Sequence, residues 1–97
     1  MTTLHLVRCS AFKSHTINNC LSVLGSEDIV ILLDDGVYNL QHPVLQQFQT
    51  VIPDSNLLVL QQHALARGVK LVPEHQAIEL YELIKLSLET AQSITWQ

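Results

Sequence analysis

The chain has 97 residues, 47% of them hydrophobic, enough for one domain with a single core and too few for a second. Only 14% are charged, against roughly 25% in ordinary soluble domains, and the five Lys and Arg residues are scattered in a chain of net charge −4. These values exclude a nucleic-acid footprint, and no apolar run approaches the roughly 20 residues of a bilayer span.

Leu4-His5-Leu6-Val7 is a short, largely apolar run that suits a buried first strand. Ser10 fits an N-cap, so the first helix is expected from about Ala11 to Leu24, with Gly25 placed to end it. Its apolar stripe is Ile17, Cys20, Leu21 and Leu24, at the i, i+3, i+4, i+7 spacing of one helix face. Ile29-Val30-Ile31-Leu32-Leu33 is the clearest strand. Its unbroken apolar run implies burial on both faces, the pattern of a parallel sheet.

Asp34-Asp35-Gly36 punctuates the end of that strand, and a weaker helical segment follows from roughly Pro43 to Thr50. Pro53-Asp54-Ser55-Asn56 reads as a turn before a third strand, Leu57-Leu58-Val59-Leu60. Gln61 to Arg67 forms a short helix closed by Gly68. Val69–Val72 and Ala77–Leu80 compete for the next strand, and periodicity leaves both open. Tyr81, Ile84 and Leu88 line one face of a last helix ending near Gln92, and Ser93-Ile94-Thr95-Trp96 supplies a final strand. Strands alternating with helices define a single three-layer α/β domain over residues 1–97. The expected sheet is mostly parallel, with about five strands and flanking helices.

A small domain has much surface to cover, so the shortage of charge predicts that part of it is covered by another subunit. Many Gln, Ser and Asn residues supply part of the polar surface instead. The opening MTTLHLVRCS lacks the basic start and long apolar stretch of a signal peptide, which predicts a cytoplasmic protein. A Cys9–Cys20 disulfide would not persist there.

The chemistry-bearing residues each have two readings. Cys20 sits mid-helix among Thr16, Ile17, Val23 and Leu24, with no local cation and away from the positive end of the helix dipole. His15 lies about 140° around the helix and cannot pair with it. Local chemistry therefore makes Cys20 a core filler, and only a tertiary neighbour would make it reactive. Cys9, between the first strand and first helix with Arg8 and Lys13 nearby, is the better local candidate for a reactive thiol or else a structural one. Asp34 and Asp35 suit acid–base work, Mg²⁺ binding or phosphoacceptance, or simply a strand-ending turn with a helix-initiating carboxylate. A phosphoacceptor domain needs further acidic residues after the first strand, and Arg8-Cys9-Ser10 supplies none. The five His residues show no HxH or HExxH spacing, so no metal site is expected. No Gly-rich phosphate loop and no Ser-His-Asp signature is present, and no cofactor is expected.

Taken in order, the landmarks Leu4-His5, Ser10-Ala11-Phe12, Asp35-Gly36-Val37, Ala66-Arg67-Gly68 and Trp96 resemble the TusB/DsrH family of sulfur-relay proteins along nearly the whole chain. The resemblance implies a DsrE/F/H-like fold, similar to flavodoxin-like domains. It implies a small accessory subunit, not itself catalytic, of a sulfurtransferase heterohexamer with TusC- and TusD-like, or DsrF- and DsrE-like, chains. In the Tus branch such complexes pass cysteine persulfide from TusA-like to TusE-like carriers for 2-thiolation of the tRNA wobble uridine. In the Dsr branch they serve dissimilatory sulfur oxidation. A structural adaptor without sulfur traffic is the third reading. The principal relay cysteine belongs to the TusD/DsrE-like partner. Cys20 matches the position of the DsrH-type cysteine, which makes it the candidate catalytic residue, a persulfide carrier. Cys9 matches no family cysteine. Ala11 stands where the family often has Pro, and His63 where an acidic residue is common. Arg67 is then expected to bond to a partner or to cap its own helix.

Overall fold

The computed structural model describes residues 2–97. Five strands, β1 (Thr3–Val7), β2 (Ile29–Leu32), β3 (Leu57–Leu60), β4 (Gln76–Ile78) and β5 (Gln92–Trp96), alternate with helices α1 (Thr16–Val23), α2 (Val44–Val51), α3 (Gln61–Ala66) and α4 (Leu80–Glu89). The sheet is wholly parallel in the order β4-β3-β2-β1-β5. From β1 to β4 each step moves the same way across the sheet, so right-handed crossovers put α1, α2 and α3 on one face. The return from β4 to the far side of β1 reverses direction and puts α4 on the other. The three-layer α/β domain expected from the sequence is the one observed.

Strand alternation divides the core accordingly. Val7, Val30, Leu32, Leu57 and Val59 meet Ile17 and Cys20 of α1, Val44 and Phe48 of α2, and Ala64 of α3. Leu4, Ile31, Leu60 and Ile78 meet Leu83 and Leu86 of α4. The competition for the fourth strand goes to the second candidate, at Gln76–Ile78, in register with Leu58–Leu60.

Two local expectations are corrected, and the last helix ends at Glu89 rather than near Gln92. The first helix starts at Thr16 rather than Ala11. Ser10 closes one turn, its carbonyl accepting from Lys13 and Ser14 and its hydroxyl from the Phe12 N–H, and Ser14 Oγ then accepts from the Thr16 N–H. Such side-chain bonds offer the backbone an alternative to helix, which is why the segment between them is not helical. Gly25 is not a left-handed cap; Leu24 turns extended, and the Gly25 N–H donates to Asp28. Tyr81, Ile84 and Leu88 do line one face of the last helix, and that face is the outward one, while Leu83 and Leu86 face the sheet. At 100° per residue these two apolar sets lie on roughly opposite sides, so periodicity alone does not choose between them.

Candidate functional site

The carboxyl ends of β1 and β2 are joined by a built network. Beyond β2 the chain turns through Asp34, at φ 50°, into a 3-10 segment, Asp34–Gln41. Asp residues tolerate this left-handed backbone better than most, and the Asp34 N–H is anchored by donating to His63 Nδ1 at 2.8 Å. That bond occupies the Nδ1 lone pair, so the 3.4 Å contact of the same atom with Asp34 Oδ1 is a near approach and not an ion pair of neutral histidine.

Gly36 lies against the end of β1: a Cβ there would sit 2.0 Å from the Val7 carbonyl oxygen. Only glycine allows this approach. Asn39, fully buried, ties the segment to the β1–α1 loop, donating to the Cys9 carbonyl at 3.0 Å and accepting from the Ala11 N–H at 2.8 Å. The sequence landmarks around Ser10, Asp35 and Arg67 therefore converge on one structure.

The cleft beside this network has a volume of about 420 Å³ and is lined by Arg8, Cys9, Lys13, Asp34, Asp35 and Arg67, among others. Its charges are largely paired. Arg8 Nε donates to Asp34 Oδ2 at 2.6 Å, and Arg67 Nε to Asp35 Oδ1 at 3.1 Å, with Arg67 Nη2 3.8 Å from Asp34. Arg67 thus reaches across to the acidic turn instead of capping its own helix with its side chain. Asp34 and Asp35 serve as turn residues and acceptors. Cys9 is nearly enclosed, and its burial pushes the thiol up despite an opposing backbone hydrogen bond. Among the described residues, no three His, Cys, Asp or Glu side chains come together to hold a metal ion.

The second constellation lies beneath the sheet surface, and local sequence reasoning did not see it. His5 on β1 points to the α1 face, where its neighbours are Cys20, Asp28 and Trp96. The Trp96 indole N–H donates to His5 Nδ1 at 3.1 Å. An indole nitrogen can only donate, so Nδ1 carries the lone pair and Nε2 the proton. That Nε2–H donates to Asp28 Oδ2 at 2.9 Å. The two rings are 15° from coplanar with centroids 6.2 Å apart, the geometry of an in-plane N–H···N bond rather than of face-to-face stacking.

Asp28 also accepts from the N–H groups of Thr3 at 3.1 Å and Gly25 at 2.9 Å. Burial alone would raise its pKa. The hydrogen bonds from Gly25, His5 and Thr3 outweigh burial and hold the carboxyl below its usual range. Cys20 Sγ lies 3.9 Å from His5 Nδ1, at the long end of a thiol hydrogen bond. Burial, with the neighbouring Cys9 and Asp28, pushes the Cys20 thiol up to about 12. Cys20 has no exposed surface. The arrangement is a thiol–imidazole–carboxylate chain closed off by an indole.

The sequence marks His5 and Trp96 as landmarks, but not as partners of Cys20. Asp28 carried one signal: an acidic residue directly before a strand buried on both faces has to be paired. Asn39 gave none, since a turn asparagine and a latch asparagine look alike in sequence.

An all-parallel three-layer α/β domain with an enclosed thiol–imidazole pair defines the class. The chain belongs to the DsrH-like family: the family model described as DsrH like protein matches residues 9–93. It is similar to the solution NMR structure of protein Tm0979 from Thermotoga maritima, with a TM-score of 0.59 and 22% identity over 87% of this chain and 88% of that one, which shows a shared fold. No curated protein matches. Membership of the family makes the chain a sulfur-relay subunit in the general sense. Among the described residues no helix is long and apolar enough to cross a membrane.

Proposed function

We propose that the chain is the TusB-like subunit of a persulfide-relay complex that supports 2-thiolation of the tRNA wobble uridine. It would assemble in the cytoplasm with TusC- and TusD-like chains as a heterohexamer, supplied and drained by TusA- and TusE-like carriers. The observation that carries this reading is the outer face of α4, where Leu80, Tyr81, Ile84 and Leu88 are exposed together on a chain already short of charge. Four large apolar side chains on one helix face suit a permanent protein interface. The subunit's own part is accessory. Burial pushes the Cys20 thiol up to about 12, which keeps it protonated at pH 7 and makes it a poor nucleophile in this structure.

A second reading is favoured by the contact between Cys20 and His5. In it Cys20 is a persulfide carrier, its sulfur attacking a donor's outer sulfur, as in a DsrH-like subunit of a DsrEFH-type complex in sulfur oxidation. Wobble 2-thiouridine measured in a deletion strain, complemented with wild type or with Cys20→Ser, tests the tRNA role and the carrier role of Cys20. Loss on deletion and rescue by both genes supports the accessory subunit. Rescue by wild type alone, at equal expression and assembly, makes Cys20 a carrier. Intact thiolation on deletion refutes the tRNA role.

A further inference from the structure

A neutral imidazole nitrogen has one lone pair, and two donors aim at that of His5 Nδ1: the Trp96 indole at 3.1 Å and the Cys20 thiol at 3.9 Å. The indole holds it. While it does, the Cys20 thiol keeps only a long 3.9 Å contact with a lone pair already taken, although that base is oriented by a carboxylate. Trp96 is held by its backbone, paired with Val7 and accepting from the Arg8 N–H at 2.8 Å, so it is the side chain that is free to swing. It is the last residue of β5, an edge strand paired only with β1, and it is partly exposed where His5 and Cys20 are enclosed.

We infer that Trp96 is a latch that keeps the Cys20–His5 pair inactive, and that lifting the indole arms the thiol. With Trp96 away, Nδ1 is free and water reaches the space the indole filled. The S–H bond of Cys20 then breaks with its electron pair left on sulfur, and the proton passes to His5 Nδ1. The resulting imidazolium keeps its Nε2–H on the Asp28 carboxylate, and the indole N–H is left to water. No oxidant or further reactant enters. The ionisable groups facing the pair are Asp28, before β2, and Cys9, at the end of β1. Asp28 stabilises the imidazolium, while both oppose the thiolate. Net activation therefore depends on His5 taking the proton.

The use of this latch in sulfur traffic rests on the reading of Cys20 as a carrier; the latch itself is tested without a donor. The experiment is the rate of Cys20 alkylation by iodoacetamide at pH 8, followed by mass spectrometry on the full chain carrying Cys9→Ser. Four forms are compared: otherwise unchanged, Trp96→Phe, Trp96→Ala, and Trp96→Phe with His5→Gln. Phe keeps the ring and removes the N–H, and Gln keeps a donor for Asp28 but cannot accept the proton. Trp96→Phe is expected to label at least tenfold faster, Trp96→Ala faster still, and the double variant within twofold of the unchanged form. Urea unfolding of each form gives the increase that global opening alone would cause. An acceleration no larger than that increase overturns the latch, as does no acceleration or one that survives His5→Gln. Separately, persulfide on Cys20 after incubation with a loaded donor decides the carrier reading; its absence with a working latch removes that reading alone.

Discussion

Asp28 anchors the amino-terminal edge of the sheet, and replacing it tests the buried network directly. In Asp28→Ala the His5 Nε2–H, enclosed by the core, loses its only acceptor, which costs about 1–3 kcal/mol. The Thr3 and Gly25 N–H groups lie nearer solvent and recover part of their loss from water, so each adds about 0.5–1 kcal/mol. The sum is about 3 kcal/mol, a large share of the roughly 5–15 kcal/mol expected of such a domain. Asp28→Asn should cost about half as much. Its single oxygen, placed where Oδ2 now accepts from both His5 and Gly25, keeps two bonds and turns an N–H₂ toward the Thr3 N–H. Urea unfolding at pH 7 measures both. The pH dependence follows from the lowered carboxyl: between its folded pKa and the unfolded value of about 3.8, the unfolded chain binds more protons. The advantage of wild type over Asp28→Asn is therefore complete above the unfolded value and is lost as pH falls through the folded one. Equal midpoints for the two variants, or a loss under about 1 kcal/mol for Asp28→Ala, would refute the reasoning.

Gly36→Ala should destabilise by at least about 3 kcal/mol or prevent folding, because its Cβ would meet the Val7 carbonyl, a backbone atom that cannot swing aside. Thermal unfolding against wild type checks this. Asn39→Ala should lower stability by about 2–3 kcal/mol, since it strips buried partners from the Cys9 carbonyl and the Ala11 N–H. Arg67→Ala, removing part-exposed ion pairs, should stay within about 1 kcal/mol of wild type in the same urea titration. Leu88→Glu with Tyr81→Ser should leave the isolated chain within about 0.5 kcal/mol of wild type yet abolish copurification with TusC- and TusD-like chains; retained assembly would remove α4 from the interface.

The elements were legible because their signals are local. Ile29–Leu32 is apolar at every position, and its burial on both faces forced a parallel sheet with helices on each side. The positive φ of Gly68 and the turn at Asp54–Asn56 likewise followed from residue type. The side α4 would present to the sheet was not legible, since both of its sides are apolar and only the path of the chain from β4 to β5 chooses between them. Nor was the environment of Cys20. Its local neighbours are all apolar or neutral, so sequence describes a core cysteine, and the structure does bury it completely. Yet its thiol meets His5, whose own partners are Asp28 and Trp96, brought together because β1 lies between β2 and β5 in the sheet. Periodicity reports what lies within a few residues along one element. Hydrogen bonds between strands that are distant in sequence are decided by strand order, and it is strand order that places a base beside the thiol with a carboxylate and an indole around that base.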